Sequence, residues 1–401
     1  MAKKPLSRLA IEVTGSADQP LGMAPEAFLR DYWQKRPLLI RAAFPGFVSP
    51  ISPEDLAGLA CEDAALSRVV LHDRKRDRWE LRTGPFSEES FPKLPRKDWT
   101  LLVQDVDKWD MDIRALLDRF RFLPAWRLDD VMVSFAAPGG SVGAHVDQYD
   151  VFLLQAMGHR RWQIDSRPDA PRGFRPDVEL KLLSQFSPDH DWVLGPGDML
   201  YLPPGVPHHG VAEDACLTFS VGMRAPSQAE LMVDLAEELA AALPEDARYA
   251  DPDLALPADP WEIDEAAFGR VRAALQGLQA LDETALRRWF GRFITQYRAA
   301  GELGRPARPA KLDAITAGLA QGAQLLRHPH ARLAWAREGR RACLHANGLS
   351  LPMGLASARR LAAADALGAE DLAALDAEGR DALESLVAAG HYQLVKPKRR
   401  R

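Results

Sequence analysis

A chain of 401 residues with 47% apolar side chains and a net charge of −5 is long enough for two or three domains with buried cores, and its charge gives no general attraction to nucleic acid or anionic membranes. Three cysteines, Cys61, Cys216 and Cys343, are odd in number and far apart, which excludes a disulfide framework and a zinc-binding spacing. The opening MAKKPLSRLAIEV lacks an apolar signal core and no long apolar run follows, so a cytoplasmic protein with no membrane contact is expected.

In chain order, amphipathic helices are predicted at PEAFLRDYWQ (25–34) and MDIRALLDRF (111–120). Among and after them come short strand-like runs punctuated by Gly and Pro. These are RPLLIRAAF (36–44), SRVVLHD (67–73), DDVMVSFAAP (129–138), DVFLLQAM (150–157), RRWQI (160–164), DMLYLPP (198–204) and LTFSVGM (217–223). Many short strands joined by turn residues predict a β-barrel or sandwich up to about residue 226.

The period changes at Ser227. Ser227 and Glu230 have capping-box spacing, and Leu231, Leu235 and Leu239 then recur every fourth residue. A linker containing Pro244, Pro252, Pro257 and Pro260 precedes a helical stretch over 264–298, with Leu275, Leu278, Leu286, Trp289, Phe290 and Phe293. A second linker, RPARP (305–309), opens a last module. It comprises a helix over 311–326, a hairpin ARLAWAREGRRACLHA (331–346) turning at Glu338-Gly339, helices over 356–366 and 378–388, and a final run HYQLV (391–395). That order makes a winged-helix-like domain plausible over 305–395. Residues 305–401 hold 16 Lys/Arg against 9 Asp/Glu, a surplus of 7, so residues 1–304 carry −12. The tail KPKRRR (396–401) is five-sixths basic, suited to solubility or incidental RNA contact.

The stretch GGSVGAHVDQYD (139–150) places His145 and Asp147 two residues apart beside an apolar strand. In extended backbone, residues i and i+2 share a face, so one imidazole and one carboxylate can take adjacent coordination positions. Gly139, Gly140 and Gly143 permit tight turns beside them. A lone H-x-D is weak; a third donor must return from elsewhere. GPGDMLYLPPGVPHHGVA (195–212) supplies His208 and His209, and the intervening chain leaves room for three or four strands around a barrel. Two histidines and one carboxylate with open positions form the facial triad of non-haem Fe(II) oxygenases.

At these residues the chain resembles a known family. HVD (145–147), GHRRW (158–162) and PPGVPH (203–208) look like the JmjC-type cupin 2-oxoglutarate oxygenases. FLRDYWQKRPLLIRAAF (28–44), WRLDDVMVSFAAPGGSVGAHVDQYDVF (126–152), SVGMRAP (220–226) and RRWFGRFITQYR (287–298) resemble the bacterial ribosomal oxygenases within that superfamily. The resemblance runs over about residues 5–395. It implies an α+β architecture: a double-stranded β-helix (cupin/JmjC) catalytic domain with N-terminal helices (1–226), a helical dimerisation region (227–304) making a homodimer, and the winged-helix-like domain (305–395). It further implies Fe(II) held by His145, Asp147 and His208, with His209 the competitor for the third place. The co-substrate 2-oxoglutarate and O2 complete the reaction, and Arg160 and Ser134 would bind the co-substrate's distal carboxylate.

The implied reaction converts 2-oxoglutarate to succinate and carbon dioxide while hydroxylating an arginine of a large-subunit ribosomal protein. For that guanidinium, Tyr149, Asp150, Asp105, Asp107 and Trp109 are candidate contacts. Alternatives are hydroxylation of a histidine on another ribosomal protein, a non-enzymatic cupin/winged-helix transcription regulator and a metal-free or zinc-loaded cupin scaffold. Nucleic acid is not required by the enzymatic reading, and outside its tail the C-terminal module has too small a surplus of charge for strong duplex binding.

Overall fold

A computed structural model describes residues 9–245, 247–248, 250–252, 265–275, 282–296 and 303–396. Pro257, Pro260, Leu278 and the tail beyond Lys396 lie outside the described residues. The chain forms two compact units, Met1–Ala225 and Pro226–Arg401. No helix among the described residues is long and apolar enough to cross a membrane.

In the first unit three short helices start where their sequences allow. Helices α1 (Pro25–Asp31) and α2 (Pro53–Leu59) have proline in the first turn, and Ser52 and Asp55 form a capping box on α2. In α3 (Met111–Leu116), the Asp110 carboxylate accepts from the backbone N–H groups of Asp112 and Ile113. The predicted helix over 111–120 tightens into a 3-10 turn at Leu117–Phe120.

The first unit has twelve strands: β1 (Glu12–Thr14), β2 (Leu38–Arg41), β3 (Ser67–Asp73), β4 (Arg78–Thr83), β5 (Trp99–Val103), β6 (Leu128–Ala136), β7 (Val151–Met157), β8 (Arg160–Ile164), β9 (His190–Leu194), β10 (Met199–Leu202), β11 (His208–Ala212) and β12 (Cys216–Met223). Nine form one sheet in the order β1-β2-β10-β7-β12-β6-β5-β3-β4, and three form a second in the order β11-β8-β9. These two facing sheets are the barrel expected from the sequence. The alternation passed over β1, β4, β5 and β9, which are short or carry charged residues, and it left 208–212 as loop.

Side-chain direction divides the large sheet's two faces. Val131, Val133, Phe152, Leu154, Phe219 and Val221 point to the helices, packing with Phe28, Leu56, Ile113 and Phe120. Leu39, Val151, Leu153, Leu200 and Leu202 point the other way and meet Trp162, Ile164 and Leu194 of the small sheet. Burying each such side chain contributes roughly 1.5–3 kcal/mol, and β7 and β12 are near-continuous apolar runs because both their faces are covered. The inner face is not apolar throughout. Ser134, Gln155, Arg160 and Thr218 are buried there, hydrogen-bonded among themselves.

In the second unit, α4 (Gln228–Ala241) begins at the Ser227/Glu230 capping box. The stretch 264–298 is not one helix among its described residues: α5 (Glu265–Leu275) and α6 (Glu283–Thr295) are separate, because Asp282 caps α6 by accepting from the N–H of Ala285. Trp289, Phe293 and Ile294 of α6 pack on Leu231 and Leu235 of α4, and the Trp289 indole donates to Asp234 at 2.9 Å. The predicted helix over 311–326 ends early. Helix α7 (Leu312–Ala320) stops before Gly322, whose φ of +84° suits only glycine at no cost, and β13 (Gln324–Arg327) follows.

The hairpin is β14 (Leu333–Glu338) and β15 (Arg341–Ala346), turning at Gly339 and extended by β16 (Leu349–Met353). Helices α8 (Leu355–Ala363), α9 (Ala369–Ala373) and α10 (Ala377–Ala388) bracket β17 (Ala366–Leu367), and β18 (Tyr392–Val395) closes the unit. Strands β17-β13-β18 and β14-β15-β16 make two small sheets. Arg288 of α6 grips Glu338 of β14 through two bonds of 2.8 Å, joining the helical segment to the hairpin.

Candidate metal centre

The loop bearing His145 and Asp147 leaves β6, and the strand bearing His208 is β11. Four strands, β7 to β10, lie between them in sequence. The backbone closes that distance directly: His145 and His208 form an antiparallel bridge, each N–H bonding the other's carbonyl at 3.0 Å. The Asp147 carbonyl accepts from Gly205 N–H at 2.7 Å, which ties the H-x-D loop to the turn before β11. Gly205 has φ +78°, so this turn depends on glycine.

The donor atoms converge as a consequence. One ligand atom from each of His145, Asp147 and His208 lies within 4.8 Å of the others. His145 Nε2 is 3.9 Å and His208 Nε2 is 3.6 Å from an Asp147 carboxylate oxygen. On each ring the other nitrogen, Nδ1, faces a backbone carbonyl, Gly143 at 3.0 Å and Val206 at 2.9 Å. A carbonyl only accepts, so Nδ1 carries the proton and Nε2 presents its lone pair. Burial and the nearby His145 hold the His208 imidazole well below its usual pKa, keeping it neutral as a ligand must be. This donor set fits a divalent transition metal of the iron type.

His209 does not join the cluster. On β11 adjacent side chains alternate, and its ring packs edge-on against Phe186 at 6.0 Å.

Deeper in the barrel, Arg160 is 3% exposed. Its Nη1 approaches Ser134 Oγ and Thr218 Oγ1 at 3.4 Å each, and Nη2 approaches the Gly210 carbonyl at 3.4 Å. Its Nε has no partner, and among the described residues no carboxylate pairs with it. Desolvation pulls its pKa down, yet a guanidinium remains charged. A buried cation left with three long bonds to neutral groups is a seat for an anion, and Ser134 is beside it.

The candidate substrate contacts separate. Tyr149 is exposed near Asp147 and Asp130, and burial of its hydroxyl beside Asp147 raises its pKa. Asp150 is a correction: it is fully buried, accepting from Tyr201 at 2.7 Å, Gln34 at 2.9 Å and Arg127 at 3.2 Å, so it braces β7 against the helices instead of meeting a substrate. Asp107 is also structural, bonded to Lys108 and accepting from Val131 N–H at 2.9 Å. Asp105 is buried, with Lys108 at 3.9 Å, and its N–H donates to Asp130 at 3.1 Å. Trp109 is partly exposed.

The acid that sequence reasoning missed is Asp130. It shares the face of Ser134 on β6, no cation pairs with it among the described residues, and burial together with Asp105 and Asp129 pushes its pKa up to about 7. The sequence signal that could have found it is its strand parity with Ser134.

Comparison with known proteins gives concordant matches. A JmjC domain model matches residues 115–231 and a ROXA-like winged-helix model matches 276–393. An AraC-like ligand-binding model matches 186–314, across the boundary between the two units. The chain is 39% identical over 300 residues to the ribosomal protein uL16 3-hydroxylase of Escherichia coli, covering 75% of this chain and 79% of that protein. It is 42% identical over 238 residues to a probable ribosomal oxygenase of Haemophilus influenzae, covering 59% and 56%. The structure of YcfD, a ribosomal oxygenase from Escherichia coli in complex with cobalt and 2-oxoglutarate, superposes with a TM-score of 0.78 at 36% identity, covering 93% of this chain and 98% of that one.

Proposed function

The chain belongs to the JmjC ribosomal oxygenases, Fe(II)- and 2-oxoglutarate-dependent hydroxylases of ribosomal proteins, and we propose that its target is an arginine side chain of a large-subunit ribosomal protein. What carries the reading at the site is the conjunction of three metal-donor atoms within 4.8 Å and a buried guanidinium that no carboxylate among the described residues neutralises. In this reading His145 and His208 through Nε2, and Asp147 through its carboxylate, hold iron. Arg160 and Ser134 receive the distal carboxylate of 2-oxoglutarate.

Iron and 2-oxoglutarate, when bound, supply the oxidising chemistry: O2 is consumed, 2-oxoglutarate becomes succinate and carbon dioxide, and one oxygen atom enters a substrate C–H bond. The chain's own task is positional. Apolar residues from both sheets pack together inside the barrel, which favours a dry interior. The ligand loop and β11 fix the metal donors before any substrate arrives, so little reorganisation remains at the moment of reaction. Asp130, a half-buried acid with no cation paired to it among the described residues, and Tyr149 next to it favour a guanidinium in the open part of the site.

Homodimerisation through residues 227–304, as a region distinct from the winged-helix-like part at 305–395, belongs to the same proposal. Its support is apolar surface: Met232 and Val233 on α4, and Phe268, Val271 and Leu275 on α5, remain exposed. Action in the cytoplasm, where the ribosomal substrate is made, follows from the reading. Nucleic acid is not required for it.

The test is intact-mass measurement of ribosomal proteins incubated with the enzyme, Fe(II), 2-oxoglutarate and O2. The expected outcome is a gain of one oxygen atom on one large-subunit protein, placed on an arginine by fragmentation. Oxygen on a histidine would replace the target residue, and no gain on any protein would remove the substrate class.

A further inference from the structure

Strand β11 carries more than the metal ligand. Two residues after His208, on the same face, stands Gly210, and its cross-strand partner on β8 is Trp162. A Cβ at Gly210 would lie 2.7 Å from Arg160 Nε and 2.7 Å from both Cη2 and Cζ3 of Trp162. Contacts that close do not occur in folded proteins, so the indole and the guanidinium occupy the space that any other residue's side chain needs. The Trp162 ring is 4% exposed and sits 4.9 Å from the Arg160 guanidinium carbon and 5.9 Å from the His208 ring. Both Arg160 Nε and Trp162 Nε1 are buried without a hydrogen-bond partner.

These observations raise a question that the seat alone does not answer: what holds a buried guanidinium in place when its bonds are all 3.4 Å long and none goes to a carboxylate? We infer that Gly210 and Trp162 are positioning residues for the co-substrate, acting through Arg160. The bare backbone of Gly210 lets the indole lie against β11, and the indole's π-face then supports the guanidinium at a fixed depth below the metal donors. Metal end and anion end of the co-substrate are thereby set by one strand, His208 at one position and the gap at Gly210 two residues on. Arg160 is held ready without a carboxylate of its own, which would compete with the incoming anion.

This inference rests on the reading of Arg160 given above, and the experiment separates the two. Affinities of the Co(II)-loaded protein are measured by calorimetry for 2-oxoglutarate and for 2-oxobutanoate, which lacks the distal carboxylate, alongside the affinity for Co(II) itself. Wild-type protein should prefer the diacid strongly; equal affinity for the two would sink the assignment of Arg160 and with it the premise. If the premise stands, Gly210→Ala should reduce the preference for the diacid roughly tenfold to a hundredfold, the range of a charge-assisted hydrogen bond, with 2-oxobutanoate and Co(II) affinities close to wild type. Trp162→Leu, which leaves β11 intact and removes the π-face, should reduce the same ratio in the same direction. A purely structural role would lower both keto-acid affinities together and leave their ratio unchanged. An unchanged ratio in either variant overturns the inference.

Discussion

His145 and His208 are ready as ligands because two backbone carbonyls, Gly143 and Val206, take the Nδ1 protons and leave both Nε2 atoms facing Asp147. Asp147 is the sole carboxylate of the cluster and its side chain is partly exposed, so little of the fold leans on it. Asp147→Ala should therefore abolish 2-oxoglutarate turnover while the thermal midpoint moves by only a few degrees, as expected when stability changes by about 1 kcal/mol or less. Normal turnover in that variant would take Asp147 out of the metal site. Arg160 has the opposite profile, buried and uncompensated. Arg160→Ala should raise the 2-oxoglutarate concentration for half-maximal turnover by at least tenfold, since charge-assisted bonds of about 1.5–3 kcal/mol are lost. An unchanged requirement would mean that another cation binds the co-substrate.

The H-x-D loop is an element held from three sides. Arg74 donates to the Gly139 carbonyl at 2.7 Å, Leu183 N–H donates to the Ala144 carbonyl at 2.8 Å, and β11 bridges His145. At the centre of the clamp Gly143 has φ +82°, and a Cβ there would lie 2.6 Å from Leu182 and 3.2 Å from Trp79. The left-handed backbone alone costs a non-glycine residue roughly 1–2 kcal/mol. Because Gly143 also supplies the carbonyl that fixes the His145 ring, Gly143→Ala should weaken metal binding about tenfold or more. The check is a metal titration followed by calorimetry. Retained affinity would show that the loop relaxes without moving its ligand.

At the scale of the whole molecule, the two units carry different chemistry. The metal donors, Arg160 and Asp130 all lie in Met1–Ala225, where 28 Lys/Arg stand against 32 Asp/Glu for a mild charge of −4, while residues 226–304 of the second unit carry the larger share of the negative excess. A mildly negative catalytic unit suits a basic protein substrate better than nucleic acid. In the second unit, α10 carries Glu378, Asp381 and Glu384 against Arg380, a poor surface for DNA phosphates. Its exposed apolar residues include a group on α4 and α5, where Met232 is 71% and Val233 58% exposed. If this face joins two copies, Met232→Glu with Val233→Glu should convert a dimer to a monomer in light scattering. The variant's melting behaviour should stay cooperative. A wild-type monomer at micromolar concentration would end the dimer reading.

What the sequence determined by itself is what local periodicity and chain stiffness encode. Strands such as 67–73 and 160–164 were legible to the residue, the Ser227 cap marked the start of α4, and Gly339 marked the hairpin turn. The spacing of His145 and Asp147 placed two donors on one face, and family resemblance named His208, but pairing across four strands is a property of register that no local pattern contains. Burial likewise belongs to the tertiary structure. Asp150 and Asp130 look alike as acids in strand-flanking sequence, yet packing gave one a tyrosine, a glutamine and an arginine and left the other with no paired cation among the described residues. The gap at Gly210 is of the same kind: its meaning depends on which side chains approach from the neighbouring strand, and only the pairing of β11 with β8 brings Arg160 and Trp162 there.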